Sequence, residues 1–249
     1  MTTFRCEALE KEFDGIQALD NVSLQIIPET ITAVIGPNGA GKTTLLNVFT
    51  GFMRPDHGRC FLGSHETTNC PPHRIAGLGI ARTFQDIRLV QQLSVIENVL
   101  LAVPRQRREK LLPALFAFGG EDEETRTHDL AMQHLRLLGL DAKADDLANE
   151  LSYGQQKLLT LGCCLATEAH TLLLDEPVAG IHPEVAGQIL DFIRHLKEKG
   201  RTVLFVEHDI GAVRSIATTV IVMDQGKIIA QGPPEEILDR PEIVEAYLG

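Results

Sequence analysis

The sequence predicts an α/β fold, with a mainly parallel sheet at the core and a helical segment inserted into it. Three observations carry that prediction. Short apolar runs at Ile31–Ile35, Thr171–Asp175 and Thr202–Val206 alternate with segments of helical period, the pattern of a parallel sheet with crossover helices. A glycine-rich turn, Gly36-Pro37-Asn38-Gly39-Ala40-Gly41-Lys42-Thr43, separates the first of these runs from the helix-like TTLLNVFT. From about residue 86 to residue 163 the chain shows helical spacing and loops but no strand pattern.

The elements follow in order. Ile31–Ile35 reads as a buried strand, followed by the glycine turn and a helix starting near Gly41. Ser94–Ala102 looks helical, a charge-mixed RQRREK and an acidic EDEE follow, and Asp129–Leu140 has helical spacing through Leu130, His134, Leu135 and Leu138. Thr171–Asp175 is a strand. In EVAGQILDFIRHLKEKG, Val185, Ile189, Phe192, Ile193 and Leu196 share one helical face, and Gly200 supplies the stop. Thr202–Val206 is a strand, and Thr219–Met223, DQG and KIIA form a hairpin-like pair. The ending PPEEILDRPEIVEAYLG is acidic and amphipathic, and a helix packed back on the domain is expected. The reading is one domain over residues 1–249, a helical subdomain at about 86–163 and a short tail over 231–249.

Composition narrows the function. Hydrophobic residues make up 44% and charged residues 23% of the 249, an ordinary globular balance rather than a disordered one. A net charge of -11 disfavours a nucleic-acid partner, which calls for a basic surface. Five cysteines without a C-x-x-C fit free thiols rather than a disulfide framework or zinc site. MTTFRCEALEKEF lacks the apolar region of a secretory signal. No run of about 18 apolar residues occurs, so no membrane span is expected.

Gly36 to Thr43 matches G-x-x-x-x-G-K-[ST] at every fixed position. Glycines let the backbone curl its N–H groups inward, and the helix N-terminus adds further donors and a positive dipole end. Lys42 can reach the β- and γ-phosphates, and the Thr43 hydroxyl is placed to ligate Mg²⁺. Asp175 ends an apolar strand, where a carboxylate can hold that ion. The next residue, Glu176, is then positioned to polarise an attacking water. His208 follows another apolar strand and reads either as a sensor of the γ-phosphate and water or as a surface residue at a strand end. The remaining histidines form no metal-binding spacing.

Together these residues resemble the ATP-binding subunits of ABC transporters. GPNGAGKTT is similar to the Walker A loop of that family, Gln85 in ARTFQ to its Q-loop glutamine, and LSYGQQ (151–156) to its LSGGQ signature. LLLDEP is similar to its Walker B with the catalytic glutamate, and His208 to its switch histidine. The order and spacing agree along nearly the whole chain. The resemblance implies a P-loop NTPase core with an N-terminal antiparallel β portion and the inserted helical subdomain. It implies ATP and Mg²⁺ as cofactors. Gly36, Pro37, Asn38, Gly39, Ala40, Gly41, Lys42, Thr43 and Thr44 would contact the nucleotide, with Phe13 stacking on adenine. Thr43, Gln85 and Asp175 would serve the metal, and Glu176, His208, Gln85 and Lys42 the catalysis. The family works as a head-to-tail dimer in which Ser152, Gly154 and Gln155 of one subunit meet the nucleotide of the other. A helix-like run beginning at Leu158 would point its N-terminal end at that nucleotide. Phe13 is otherwise a core or strand-edge residue.

Two departures from the family pattern stand out. Tyr153 replaces the first signature glycine, and His182 in AGIHP stands where many members carry an aspartate. GFMRPDHGRCFLG, PPHRIAGLGIARTFQDIRLVQQLSVIENVLLA and the C-terminal ending resemble the LivG-type subunits of bacterial branched-chain or neutral amino-acid importers. DEPVAG is also similar to urea-import ATPases, and lipid or lipopolysaccharide exporters are close relatives. The implied partners are membrane permease subunits, a second ATPase subunit (a heterodimer expected, a homodimer possible) and, indirectly, a periplasmic solute-binding protein. The implied location is the cytoplasmic face of the inner membrane, bound peripherally. Ile87, Leu89, Val90 and Leu93 are equally candidates for the permease-docking groove and for core. A chromosome-maintenance ATPase would need a long coiled coil between the two motif halves, which is absent. A non-catalytic nucleotide-binding scaffold is disfavoured by the intact Lys42, Asp175, Glu176 and His208.

Overall fold

A computed structural model describes residues 3–85, 87–104, 121–241 and 243, with the side chains of 121–124 left aside. RQRREK, Asp86 and the last residues of the tail lie outside the described residues. The chain divides into two compact units: residues 1–85, 170–180 and 189–249, and residues 86–169 and 181–188.

The first unit holds two sheets. One is antiparallel, with β1 (Phe4–Phe13), β2 (Ile16–Ile26), β4 (His57–Leu62) and β5 (His65–Glu66) in the order β2-β1-β4-β5. The other contains β3 (Ile31–Ile35), β6 (Ile80–Arg82), β7 (Thr171–Asp175), β8 (Thr202–Val206), β9 (Thr219–Asp224) and β10 (Lys227–Gly232) in the order β10-β9-β3-β8-β7-β6. Every pairing from β9 to β6 is parallel, and β10 returns antiparallel at the edge. All residues of β3, β7 and β8 are buried, which explains their unbroken apolar runs: a parallel strand covered on both faces has no polar side.

Helix α1 (Lys42–Phe49) is held in a core shared by both sheets. Leu45, Leu46 and Phe49 of α1 join Phe4, Leu9 and Leu24 of the antiparallel sheet and Leu173, Leu204 and Ile221 of the parallel one. The Phe4 and Phe49 ring centroids stand 4.3 Å apart. Packing on both sides fixes the direction in which α1 presents its N-terminus. The short α2 (Pro72–Gly77) precedes β6.

The second unit is helical. Helix α3 (Val95–Ala102) packs on α4 (Glu121–Leu137) and α5 (Tyr153–Ala166), and α4 packs on α5. Val95, Val99, Ala131, Leu135, Leu158 and Leu161 are buried there. Ser94 caps α3 in a reciprocal box with Glu97. Helix α6 (Pro183–Glu198) contributes its first residues to this unit and the rest to the first. Its buried side chains are Ile189, Phe192, Ile193 and Leu196; Val185 of the expected stripe is only partly buried. Helices α7 (Ile210–Ile216) and α8 (Pro234–Ile237) follow.

Three boundaries differ from the sequence reading. Helix α4 begins at Glu121 rather than Asp129; apolar spacing marks only the packed part of a helix, while acidic residues favour its first turn. Helix α5 begins at Tyr153 rather than Leu158, because Ser152 and Gln155 form a capping box. At the C-terminal end β10 runs through Gly232, so Gln231 and Gly232 of the expected tail belong to the sheet.

Leu173 is fully buried in the shared core. Leu173→Ala is expected to cost about 2–5 kcal/mol through lost transfer energy and the cavity left behind. Leu137→Ala, at a largely exposed site, should stay within about 0.5 kcal/mol. Urea unfolding midpoints of the two variants measure the contrast.

Candidate nucleotide site

Strand β3 ends at Ile35 and the chain enters the glycine turn. Gly36 has φ 154° and Gly41 has φ 98°. A Cβ at Gly36 would lie 2.1 Å from the Met223 carbonyl oxygen, and one at Gly41 2.3 Å from that of Ala18. No side chain fits at either position, so the turn is drawn tight against β9 on one side and β2 on the other. Its backbone is tied further by Ala40 N–H to Pro37 O at 3.2 Å and Leu45 N–H to Gly41 O at 2.9 Å. The Lys42 ammonium donates to Gly36 O at 2.7 Å and Pro37 O at 2.9 Å, closing a ring over the turn. Burial pushes the Lys42 ammonium below its ordinary pKa, and the charges of Glu176 and Asp175 oppose that shift. The lysine therefore lies in the field of both carboxylates. Asn38, Gly39 and Thr43 are exposed, and Thr44 is half-buried.

Asp175 closes β7. Its N–H donates to Thr83 Oγ1 at 3.0 Å, and its Oδ2 accepts from Arg82 Nη2 at 3.1 Å. Burial raises the Asp175 pKa, countered by the Arg82 hydrogen bond and charge. Glu176 follows in the left-handed region, φ 49°, a conformation that costs a non-glycine residue about 1 kcal/mol or more. Its N–H donates to Val206 O at 3.0 Å. This turn lets adjacent residues aim differently, and Glu176 reaches His208 and Gln85. Glu176 Oε1 lies 3.1 Å from His208 Nε2, and Glu176 Oε2 accepts from Gln85 Nε2 at 3.3 Å. Gln85, Glu176 and His208, separated in sequence, thus form one cluster.

Phe13 is 42% exposed, next to the Asp14-Gly15 turn, with the Lys11 ammonium 5.3 Å from its ring. In the helical unit, Ser152 Oγ accepts from Gln155 N–H at 3.3 Å and Gln155 Oε1 accepts from Ser152 N–H at 3.0 Å. The Gln155 side-chain oxygen is therefore engaged in holding the start of α5. Gly154 faces Val185 of α6, which a Cβ there would meet at 3.1 Å. Tyr153 is exposed, with the Lys157 ammonium 5.5 Å from its ring. His182 Nδ1 accepts from Glu184 N–H at 3.4 Å, which caps the start of α6 rather than supplying a fixed negative charge. Ile87, Leu89 and Leu93 are partly buried and Val90 is exposed, so none of the four is a full core residue.

The family profile described as ABC transporter matches residues 19–179. The chain belongs to the ABC transporter ATP-binding family. It is 39% identical over 249 residues to a probable branched-chain amino acid transport ATP-binding protein LivG of Archaeoglobus fulgidus, covering all of this chain and 96% of the relative. It is 37% identical over 243 residues to the high-affinity branched-chain amino acid transport ATP-binding protein LivG of Escherichia coli K12, covering 97% and 95%. A solved ADP conformation of an ATP-binding cassette of an ABC transporter matches with TM-score 0.86 and 36% identity, covering 100% of this chain and 99% of that one. This cassette is thus an ATP-binding and ATP-hydrolysing subunit homologous to the LivG-type ATPases. Among the described residues no helix is long and apolar enough to cross a membrane.

The cassette's donor set fits nucleotide-bound Mg²⁺. Among the described residues no group of three or more His, Cys, Asp or Glu forms a metal cage. Thr43, Gln85 and Asp175 offer hard oxygen donors from three separate segments. Mg²⁺ is commonly held this way, by one or two carboxylates together with phosphate oxygens and water.

Two side chains of the cassette escaped the sequence reading. Arg82 grips Asp175, as described above. Glu207, 1% exposed, accepts from Val178 N–H at 2.9 Å and from His208 N–H at 3.0 Å. It joins the loop after Glu176 to the loop carrying His208. The signal was present: a charged residue closing the apolar run TVLFV has to find buried partners. Glu207→Ala orphans two amides and is expected to cost about 1–3 kcal/mol for each one that stays dry, read as a fall in the urea midpoint.

Proposed function

We propose that this cassette powers import of branched-chain or other neutral amino acids, as one of two ATPase subunits bound to membrane permeases at the cytoplasmic face. The full-length match to branched-chain amino-acid transport ATPases carries the solute class. The expected sister subunit is a related chain rather than a second copy, and a periplasmic protein delivers the solute.

ATP enters with its phosphates along the glycine turn and its adenine against Phe13. Lys42 exchanges the Gly36 and Pro37 carbonyls for phosphate oxygens, as a point charge on the transferring group. Backbone N–H groups from Gly36 to Thr44 take the remaining phosphate charge. Thr43, Asp175 and Gln85 would hold Mg²⁺, which when bound neutralises charge developing on the phosphates. Glu176 orients the attacking water and accepts its proton as the water oxygen bonds to the γ-phosphorus and the bridging P–O bond breaks. His208 holds the Glu176 carboxylate at Oε1. The start of α5, with Ser152 and Gly154, closes the nucleotide of the sister subunit. Closure and reopening of that pair drive the permeases between their two facings.

Glu176→Gln is expected to retain ATP binding and to slow turnover by about 10²-fold or more; near-wild-type hydrolysis in the purified complex would remove Glu176 from this role. Lys42→Ala should weaken nucleotide binding by about tenfold or more, the value of one or two charge-assisted hydrogen bonds, read with a fluorescent ATP analogue. The transport reading is tested by co-purifying the complex and measuring ATPase stimulation by branched-chain, neutral and acidic amino acids and by urea. Stimulation by leucine, isoleucine or valine is expected, and stimulation by urea alone would overturn it.

A further inference from the structure

We propose that Arg82 is a positioning residue that holds Asp175 in register with the Lys42–Thr43 end of α1 and thereby sets the affinity of the nucleotide site for Mg²⁺. The inference rests on the assignment of Thr43 and Asp175 to the metal made above.

Arg82 ends β6, and its side chain is 5% exposed. Its guanidinium spans three acceptors on two elements. Nη2 donates to Asp175 Oδ2 at 3.1 Å, while Nη1 donates to Asn47 Oδ1 at 2.7 Å and to Thr50 Oγ1 at 3.0 Å. The Phe84 ring lies 5.0 Å from the guanidinium carbon. Asn47 belongs to the last turn of α1 and Thr50 is its C-cap. The Thr50 hydroxyl donates to Leu46 O at 2.7 Å, which turns its lone pairs toward Arg82.

The topology makes this link necessary. Strand β3 leads into α1 and β7 ends in Asp175, but β8 lies between β3 and β7. No ladder hydrogen bond therefore ties the helix bearing Thr43 to the strand bearing Asp175. Strand β6, on the far side of β7, supplies the tie through one long side chain. The same strand fixes the Asp175 backbone, since Thr83 Oγ1 accepts the Asp175 N–H. Asp175 is thus held at both its amide and its carboxylate by consecutive residues.

Stability alone is a poor reason for such a pair, because the desolvation of two buried charges offsets most of their attraction. Geometry is a better one. A guanidinium is a rigid planar fork, whereas a lysine ammonium in its place is a single point that cannot reach the same acceptors on two elements. With Oδ2 engaged by Arg82, the carboxylate would hold Mg²⁺ through Oδ1, alongside the phosphate oxygens and water that Mg²⁺ commonly takes.

The test uses the full 249-residue chain and a fluorescent ATP analogue, titrated with Mg²⁺ and, separately, in EDTA. Arg82→Lys keeps the charge and loses the fork. Asn47→Ala keeps the ion pair and loosens the α1 tether, and its half-buried site makes it the variant safest for folding. Arg82→Lys is expected to raise the half-saturating Mg²⁺ concentration by about 10- to 100-fold, the usual cost of removing the partner that orients a ligating carboxylate. Asn47→Ala should raise it by a smaller factor, and binding in EDTA should change less than about twofold for both. An unchanged Mg²⁺ requirement in both variants overturns the proposal, as does a parallel loss in both arms, which marks a merely structural role. Arg82→Gln binding Mg²⁺ more tightly than the parent also overturns it, since Arg82 would then act only by opposing the cation's charge. Asp175→Asn is the control: if it leaves the Mg²⁺ requirement unchanged, the metal assignment fails and the proposal falls with it, whereas if it raises the requirement while the Arg82 and Asn47 variants do not, the assignment stands and the role of Arg82 alone is overturned.

Discussion

The tight approach of three backbone segments at the glycine turn is the constraint on which the site depends. Met223 of β9 and Ala18 of β2 press their carbonyl oxygens against Gly36 and Gly41, where a Cβ has no room. The turn between β9 and β10 completes the joint. Gly226 N–H donates to Ala40 O at 3.2 Å, and Asp20 N–H to Gly226 O at 2.9 Å. The phosphate loop is therefore a fixed seam at which the parallel sheet, the antiparallel sheet and α1 meet. A loop anchored at both Gly36 and Gly41 needs little reorganisation on meeting phosphate, which is how preorganised amides stabilise developing charge.

From that seam the charges are arranged in layers. Lys42 is buried over the turn and lies in the field of Asp175 and Glu176. Asp175 is drawn inward by Arg82, while the left-handed backbone at Glu176 turns the next carboxylate toward His208 and Gln85. Two adjacent carboxylates thus receive different partners. One is oriented by a permanent cation, the other by an imidazole and an amide that can release it to water. Glu207 then binds the loops on either side of this cluster through two amides, that of Val178 buried and that of His208 half-buried.

The helical unit shows a different economy. Its expected nucleotide contacts, Ser152 and Gln155, are also the two halves of a capping box, so the residues that start α5 are the same ones expected to meet a sister subunit's nucleotide. A cap needs an N-terminal serine and a glutamine or glutamate three residues on. The LSYGQQ motif satisfies both demands at once. Tyr153 is tolerated between them because it points to solvent. His182 likewise spends its ring nitrogen on the first turn of α6.

The glycine turn, the three buried parallel strands and the edge hairpin were legible in local sequence, which also singled out Lys42, Asp175, Glu176 and His208 as candidates. These are local facts: fixed spacing, unbroken apolar runs and residue types with few other uses. The sequence also contained the Ser152–Gln155 box, whose spacing pattern places the start of α5 earlier than apolar periodicity does. The meeting of Gln85, Glu176 and His208, the span of Arg82 from β7 to α1 and the Glu207 bridge between two loops are set by tertiary packing. Apart from the bond of Glu207 to the adjacent His208 N–H, those contacts join residues from 29 to 93 positions apart in the chain, and strand order decides which of them become neighbours. Strand order follows from the packing of both sheets around α1, a global result that no local window of sequence encodes.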